Sequence, residues 1–427
     1  MLWQVLEELG IHGRVLDIIK SLYAHDCAAL RSSQGISAIF RCLLGVKQGC
    51  PLSPTLFGLY VDGLEKHLRE TADIDAPHLF DALVPLLLYA DDLILISTSA
   101  AGLQRQLDAL QGFCQQRQLT VNLTKTKVVV FEASKSECVD FVFNGRIVEQ
   151  VESYRYLGFH FHATKNMSYG VSHLVSAARK AVHAMKRRCA HLHIRDPAMQ
   201  CRLFNSLVLP ILSYASEVWA VDPKLGEAAE KLHRQFLKQL LHIRNSTATE
   251  IVLAEFGRYP LQVHFWQQIL RFHNWVLQLD NSRYVKLALV YGAELKDNHV
   301  LEHQQKGWRS FVSTFLATQP RHPCVFQNLD VSAILDNLKE AHRSALLASD
   351  GSTVKFHNSL QLEYNCAAYL SSVQSFDSRR LISRFRCGCH GLHVDTGRWA
   401  AAKLSREDRV CQVCHSLAVE DEQHFFV

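Results

Sequence analysis

Apolar residues recur every three or four positions through the start of the chain, at Leu2, Val5, Leu6 and Leu9 and again at Val15, Leu16, Ile18, Ile19 and Leu22. That period is one face of a helix, and Gly10 and Gly13 divide it into two helices. Partial alternation over residues 37 to 42 predicts a short strand, and the Gly- and Pro-rich stretch at 44 to 54 predicts an irregular loop. Leu56, Phe57, Tyr60, Val61, Leu64 and Leu68 then form one apolar stripe, so a helix is expected with Ser53 as its cap and Pro54 in its first turn. Two apolar runs, 83 to 88 and 93 to 96, flank the polar Tyr89-Ala90-Asp91-Asp92. Strand, turn, strand is the reading, with two adjacent carboxylates carried to the end of a hairpin.

An amphipathic helix follows over 102 to 118 on Leu103, Leu107, Leu110 and Phe113, then a strand over 127 to 131 and a second hairpin over 139 to 150 around Asn144-Gly145. From 168 to 279 the period is helical throughout, with Val171, Leu174, Val175, Ala178, Val182, Met185, Cys189 and Leu192 on one face. Two further helices, about 197 to 220 and 225 to 243, complete an expected bundle. Residues 285 to 380 are helical in patches without readable chemistry, and no internal repeat or low-complexity linker interrupts the chain. The fold class expected is α+β.

Composition narrows the setting. With 427 residues, 48% of them hydrophobic, and a mean hydropathy of −0.02, the chain can bury sizeable cores. Its length suggests about three domains. No run approaches the roughly 18 apolar residues that span a bilayer, and the chain opens on an amphipathic helix without a leader pattern, so a nuclear or cytoplasmic protein is expected. Thirteen scattered cysteines suit reduced thiols better than a disulfide framework. The net charge of +5 is uneven: residues 165 to 244 hold thirteen Lys and Arg against five acids. Such a stripe attracts a phosphate backbone; a solvated helix face is the alternative.

The order of three segments is more specific. Gln48-Gly49-Cys50-Pro51-Leu52-Ser53-Pro54, Tyr89-Ala90-Asp91-Asp92 and Tyr156-Leu157-Gly158 resemble, in that order, the motifs of the reverse transcriptases of non-LTR, LINE-type retrotransposons. The resemblance covers roughly residues 1 to 280. It implies that Gln48, Gly49, Pro51 and Ser53 border the template and incoming nucleotide, that Asp91 and Asp92 bind Mg²⁺, and that Tyr156, Leu157 and Gly158 form a primer grip. Physical reasoning agrees with these roles. Gly49 lets the main chain approach a base pair closely, and nucleotidyl transfer needs a primer hydroxyl lowered in pKa and a triphosphate neutralised, which two metal ions between carboxylates accomplish. Asn122-Leu123-Thr124-Lys125-Thr126-Lys127 is similar to a family segment in which a lysine, here Lys125, protonates or screens the leaving pyrophosphate; plain solvated lysines are the alternative. The basic helix carrying Arg179, Lys180, Lys186, Arg187 and Arg188 resembles the family's thumb, which holds the duplex by its phosphates. The partners implied are an RNA template, a DNA primer and deoxynucleotide triphosphates, with no membrane. The organisation implied is a partial palm over 1–163, a basic helical thumb over 164–281, a helical connector over 282–380 and a Cys/His tail over 381–427.

In that tail Cys411 and Cys414, with two residues between them, precede His424, which makes three ligands of the kind a tetrahedral zinc site uses, with reduced thiols alone as the alternative. His415, Cys387 or Cys389 are candidates for a fourth. One departure from the family pattern matters. Its palm has another carboxylate on a strand before the helix that here starts at Met1, and Asp17 and Asp26 have no evident way to replace it. The chain alone is therefore expected to polymerise poorly, unless a partner chain supplies that strand; no endonuclease pattern is present. A non-catalytic nucleic-acid-binding remnant is the competing reading.

Overall fold

A computed structural model describes the chain except residues 25, 43–44, 48, 132–138, 290–306, 321–326, 350, 362, 398–403, 415, 423 and 427 and the side chains of 352 and 426. Two compact units result, Met1–Glu152 and Ser153–Val427. Both helices and β-hairpins are present, and each sheet has two antiparallel strands.

The first unit begins with helices Leu2–Glu8 and Gly13–Ala24, separated where Gly10 and Gly13 take left-handed φ values of 83° and 60°. Leu6, Leu16 and Ile19 pack with Leu56 in a small core. The strand expected over 37 to 42 shortens to Phe40–Arg41, paired with Cys27–Ala28 around an inner pair, Arg31–Ser32 with Gly35–Ile36. The expected stripe helix is divided into Ser53–Val61 and Leu64–Thr71. Ser53 does not cap it. Leu52 holds that position, and the Ser53 hydroxyl instead donates to the Lys47 carbonyl at 2.6 Å and meets the Tyr23 hydroxyl at 3.1 Å, closing the preceding loop.

Beyond these helices, Leu86–Tyr89 pairs with Asp92–Leu95. Helix Ala100–Gln116 follows, with Ser99 accepting from the Gly102 N–H at 3.1 Å as its cap. The second hairpin joins Phe141–Phe143 to Arg146–Val148, and Asn144 and Gly145 both have positive φ, 50° and 70°, as a tight hairpin turn requires. Leu64, Leu68, Leu86, Leu107, Leu110, Phe113, Phe141 and Val148 form the core beneath. The strand expected over 127 to 131 is only an isolated parallel bridge between Val128 and Gln150.

The second unit starts with the hairpin of Ser153–Tyr156 and Phe159–His162 and continues into helix Ser168–His191. The predicted apolar face of that helix is buried, except for Leu192, which lies past its end and is exposed. A single helix over 197 to 220 is not formed. It breaks into Pro197–Leu207, Leu209–Leu212 and Ser216–Trp219, because Pro210 has no N–H to continue the ladder and Ala215 takes a left-handed φ of 54°. Pro223–Leu241, Thr249–Glu255 and Leu261–Gln278 complete the bundle. One core continues from Phe159 through Phe236 and Phe265 to Val312, Leu346, Leu370 and Cys387. Helices Trp308–Ala317, Val331–Leu347 and Ser352–Leu360 contribute to that core, and Phe376–Arg386 leads into it at Cys387. Among the described residues eleven cysteines carry free thiols, and no described helix is long and apolar enough to cross a membrane.

Candidate metal and nucleic-acid sites

Why the two carboxylates stand at the hairpin's end follows from its register. Leu86 opposes Leu95 and Tyr89 opposes Asp92, which leaves a two-residue turn of Ala90 and Asp91. Ala90 has φ of 54°, a left-handed value that costs a residue with a Cβ about 1–2 kcal/mol. The base of the hairpin is held firmly. Leu86 is buried in the core, the Ile96 N–H donates to Pro85 at 2.8 Å, and the buried Gln106 amide donates to the Ile96 carbonyl at 3.0 Å. The turn is open instead: Asp91 and Asp92 are exposed, and no described side chain hydrogen-bonds to either carboxylate. Two adjacent acids without a local cation are hard oxygen donors of the type Mg²⁺ prefers. Among the described residues, no third carboxylate joins them within a three-ligand group.

Of the glycine-rich loop, Gln48 lies outside the described residues. Gly49 takes φ of 80° with open space where a Cβ would stand, Pro51 is exposed, and Ser53 is buried in the hydrogen bonds already given. Lys47 pairs with Asp26 at 3.3 Å, so that acid is committed to the loop. Asn122 organises the lysine segment: its side chain accepts from the Thr124 N–H and hydroxyl, and its carbonyl from the Lys125 and Thr126 N–H groups. Lys125 is exposed, whereas Lys127 forms an ion pair with Glu149.

In the second unit, Leu157 and Gly158 form the hairpin turn with φ of 44° and 86°. Tyr214 donates its hydroxyl to the Leu157 carbonyl, and its ring would stand 3.3 Å from a Cβ at position 158. Only glycine satisfies both constraints, and Tyr214 is a positioning residue for which the local sequence held no signal. Along Ser168–His191, Arg179, Lys180, Arg187 and Arg188 are exposed, while Lys186 is half-buried with its ammonium 5.7 Å over the Phe236 ring. Two other members of the basic region are engaged by partners within the fold. Lys238 donates to the Asn245 and Thr247 carbonyls at 2.6 Å, and Arg244 pairs with Asp395 at 2.8 Å.

Residues 1–161 match the reverse transcriptase (RNA-dependent DNA polymerase) family. The acidic turn and the Tyr156-Leu157-Gly158 turn both fall inside that match. That region is similar to the reverse transcriptases of LINE-type retrotransposons. It is 27% identical over 263 residues to a Pol polyprotein from a type-1 R2 retrotransposable element of Popillia japonica, which covers 59% of this chain and 35% of that protein. It is also 26% identical over 194 residues to the RNA-directed DNA polymerase of the mobile element jockey of Drosophila melanogaster, covering 44% of this chain and 20% of that one. The Drosophila funebris jockey polymerase matches at 24% over 214 residues, 49% of this chain and 23% of its own length. The chain thus spans about a third or less of these curated relatives.

Outside residues 1–161, the chain brings Cys411, Cys414 and His424 together, with their ligand atoms all within 4.8 Å of one another. The Cys414 sulfur lies 3.0 Å from Nε2 of His424. Hydrogen bonds from the Ser416 hydroxyl and backbone N–H bring the Cys414 thiol down to about 6, so it is largely thiolate at neutral pH. Tetrahedral zinc, with bonds of about 2.3 Å to sulfur and 2.0 Å to nitrogen, tolerates a triangle of this size. The fourth-ligand candidates do not join it. Cys387 is buried, with its thiol pushed well above the usual value by that burial, and Cys389 contacts the Thr247 hydroxyl at 2.9 Å. His415 lies outside the described residues, and His390 is engaged by Glu422 at 2.8 Å.

Proposed function

We propose that this chain carries the palm and thumb elements of an RNA-directed DNA polymerase, with Asp91 and Asp92 as its Mg²⁺ ligands. The observation that carries this is the pair of uncommitted carboxylates on a rigidly based, open turn within residues 1–161. On this reading residues 1–163 form a partial palm, 164–281 the thumb, 282–380 a connector and 381–427 a Cys/His tail. Bound Mg²⁺ would supply an activated primer hydroxyl and a neutralised triphosphate. The loop with Gln48, Gly49, Pro51 and Ser53 borders template and nucleotide, Lys125 faces the leaving pyrophosphate, and Tyr156, Leu157 and Gly158 position the primer end. Arg179, Lys180, Lys186, Arg187 and Arg188 meet the phosphates of an RNA template paired with a DNA primer. Cys411, Cys414 and His424 hold zinc, which supports the tail's fold.

Two carboxylates from one turn leave the metals short of a bridging ligand, so the isolated chain extends primers weakly or not at all; a partner chain offering a further acid would restore activity. The expected outcome is Mg²⁺-dependent binding of a deoxynucleotide triphosphate that disappears in Asp91→Asn, with little extension of a primed RNA template. Extension well above an Asp91→Ala control would overturn the claim of impairment. Duplex binding without any Mg²⁺-dependent nucleotide binding would favour the second reading, a non-catalytic nucleic-acid-binding remnant, which the exposed arginines of Ser168–His191 also suit.

A further inference from the structure

Between helices Ser168–His191, Pro223–Leu241 and Phe376–Arg386 lies a cavity of about 530 Å³. Lys186, Arg195, Arg379 and Arg380 line it together with His242 and Phe376, and no lining residue is acidic. None of those four cations forms an ion pair with a described residue. Lys186 donates to the Gln239 side chain, and the Arg379 guanidinium, 9% exposed, donates to the Val373 carbonyl at 3.1 Å and the Arg195 carbonyl at 2.8 Å. Burial, and then the charges of Arg380, Lys186 and Arg379, hold His242 below its ordinary value, which reports a positive field inside the cavity. Lys186 is half-buried and Arg379 buried, whereas Arg195 and Arg380 are exposed, and such a group of cations without a counter-charge favours an anion.

The cavity also has an aromatic wall. Phe376 is 38% exposed, and the His242 ring stands edge-on to it with centroids 4.8 Å apart. Cations beside an exposed aromatic face are the combination with which proteins take single-stranded nucleic acid, since every base has a stacking face and every link a phosphate. The volume suits a ligand of nucleotide size and not a stack of base pairs. Positive charge also continues outward. Arg179 lies seven residues before Lys186, on the same side of the helix and about 10 Å along it, with His183 between them. A free nucleotide would leave that track unused.

We infer that this cavity receives one unpaired nucleotide of a single-stranded nucleic acid, with its phosphate between Arg195 and Arg380 and its base against Phe376. The inference extends the nucleic-acid reading of the proposed function to a second, strand-selective contact away from the acidic turn.

The test measures binding of the full chain to a labelled single-stranded RNA and to an RNA–DNA duplex of equal length. Phe376→Ala should weaken single-strand binding about 5- to 150-fold, and Phe376→Tyr, which keeps the ring, should not. Arg380→Gln should lower single-strand affinity and reduce the salt slope by about 0.7. Duplex affinity and thermal midpoint should stay unchanged in these variants. Unaltered single-strand binding, or an equal loss on both ligands, would overturn the inference. So would competition by a nucleoside triphosphate, inorganic phosphate or polyglutamate as effective as that by RNA. The duplex reading is tested separately by Lys180→Gln with Arg187→Gln and Arg188→Gln, so the failure of either leaves the other's result readable.

Discussion

Gly158 and Gly145 occupy equivalent places in two hairpin turns, with φ of 86° and 70°, yet their surroundings differ. A Cβ at 145 would meet open space, whereas one at 158 would press on Tyr214 at 3.3 Å. Gly145→Ala should therefore lose only the left-handed backbone term, about 1–2 kcal/mol. Gly158→Ala should lose more, because Tyr214 must also move off the Leu157 carbonyl, and urea denaturation of the two variants should show that order. If Gly158→Ala is the milder of the two, Tyr214 does not position the turn. The left-handed turn at Asn144-Gly145 was legible from the dipeptide itself, since the chemistry lies in two adjacent residues. The partner at 214 was not, being 56 positions away from Gly158.

At the scale of elements, the helices after residue 350 meet the bundle at a polar cluster centred on one acid, beside the core they share. Glu255 is fully buried, and its oxygens meet Nε2 of His357 at 2.7 Å, Nε of Arg386 at 2.8 Å and the Tyr369 hydroxyl at 2.6 Å. Burial alone would raise its carboxyl, but the His357 hydrogen bond, the Arg386 charge and the Tyr369 hydrogen bond outweigh it and hold the group below the usual glutamate range. A depressed folded-state pKa means the stabilisation is present above the unfolded value, about 4.3, and is lost as pH falls through the folded one. Glu255→Gln should destabilise the second unit by roughly 3 kcal/mol at pH 7 and flatten the acid limb of its stability profile. An unchanged urea midpoint would mean that the cluster is not the clasp. Helix periodicity predicted Ser168–His191 well because its apolar face repeats over six turns or so. It overran at 197 to 220, where the apolar pattern continues through Pro210 and Ala215 although the backbone does not.

Across the whole molecule, each unit has its own buried core, one built on Leu64, Phe113 and Phe141 and the other on Phe204, Phe236 and Phe265. Calorimetry should resolve more than one transition, with a calorimetric enthalpy above the van't Hoff value and the larger share in the unit of residues 153–427. A single two-state transition would show that the units unfold together. Sequence alone determined the helical faces, the acidic hairpin and the order of motifs that marks a reverse transcriptase, because each is written in residues a few positions apart that interact through local backbone geometry. Tertiary structure decided which charges are available. Lys238 and Arg244 read like their basic neighbours but are engaged by partners within the fold, whereas Lys186, Arg195, Arg379 and Arg380 meet around one cavity. Those four are separated by up to 194 positions, and only the shared core of the second unit brings them together. Local periodicity specifies which face of a helix is buried, but not which distant helix it is buried against.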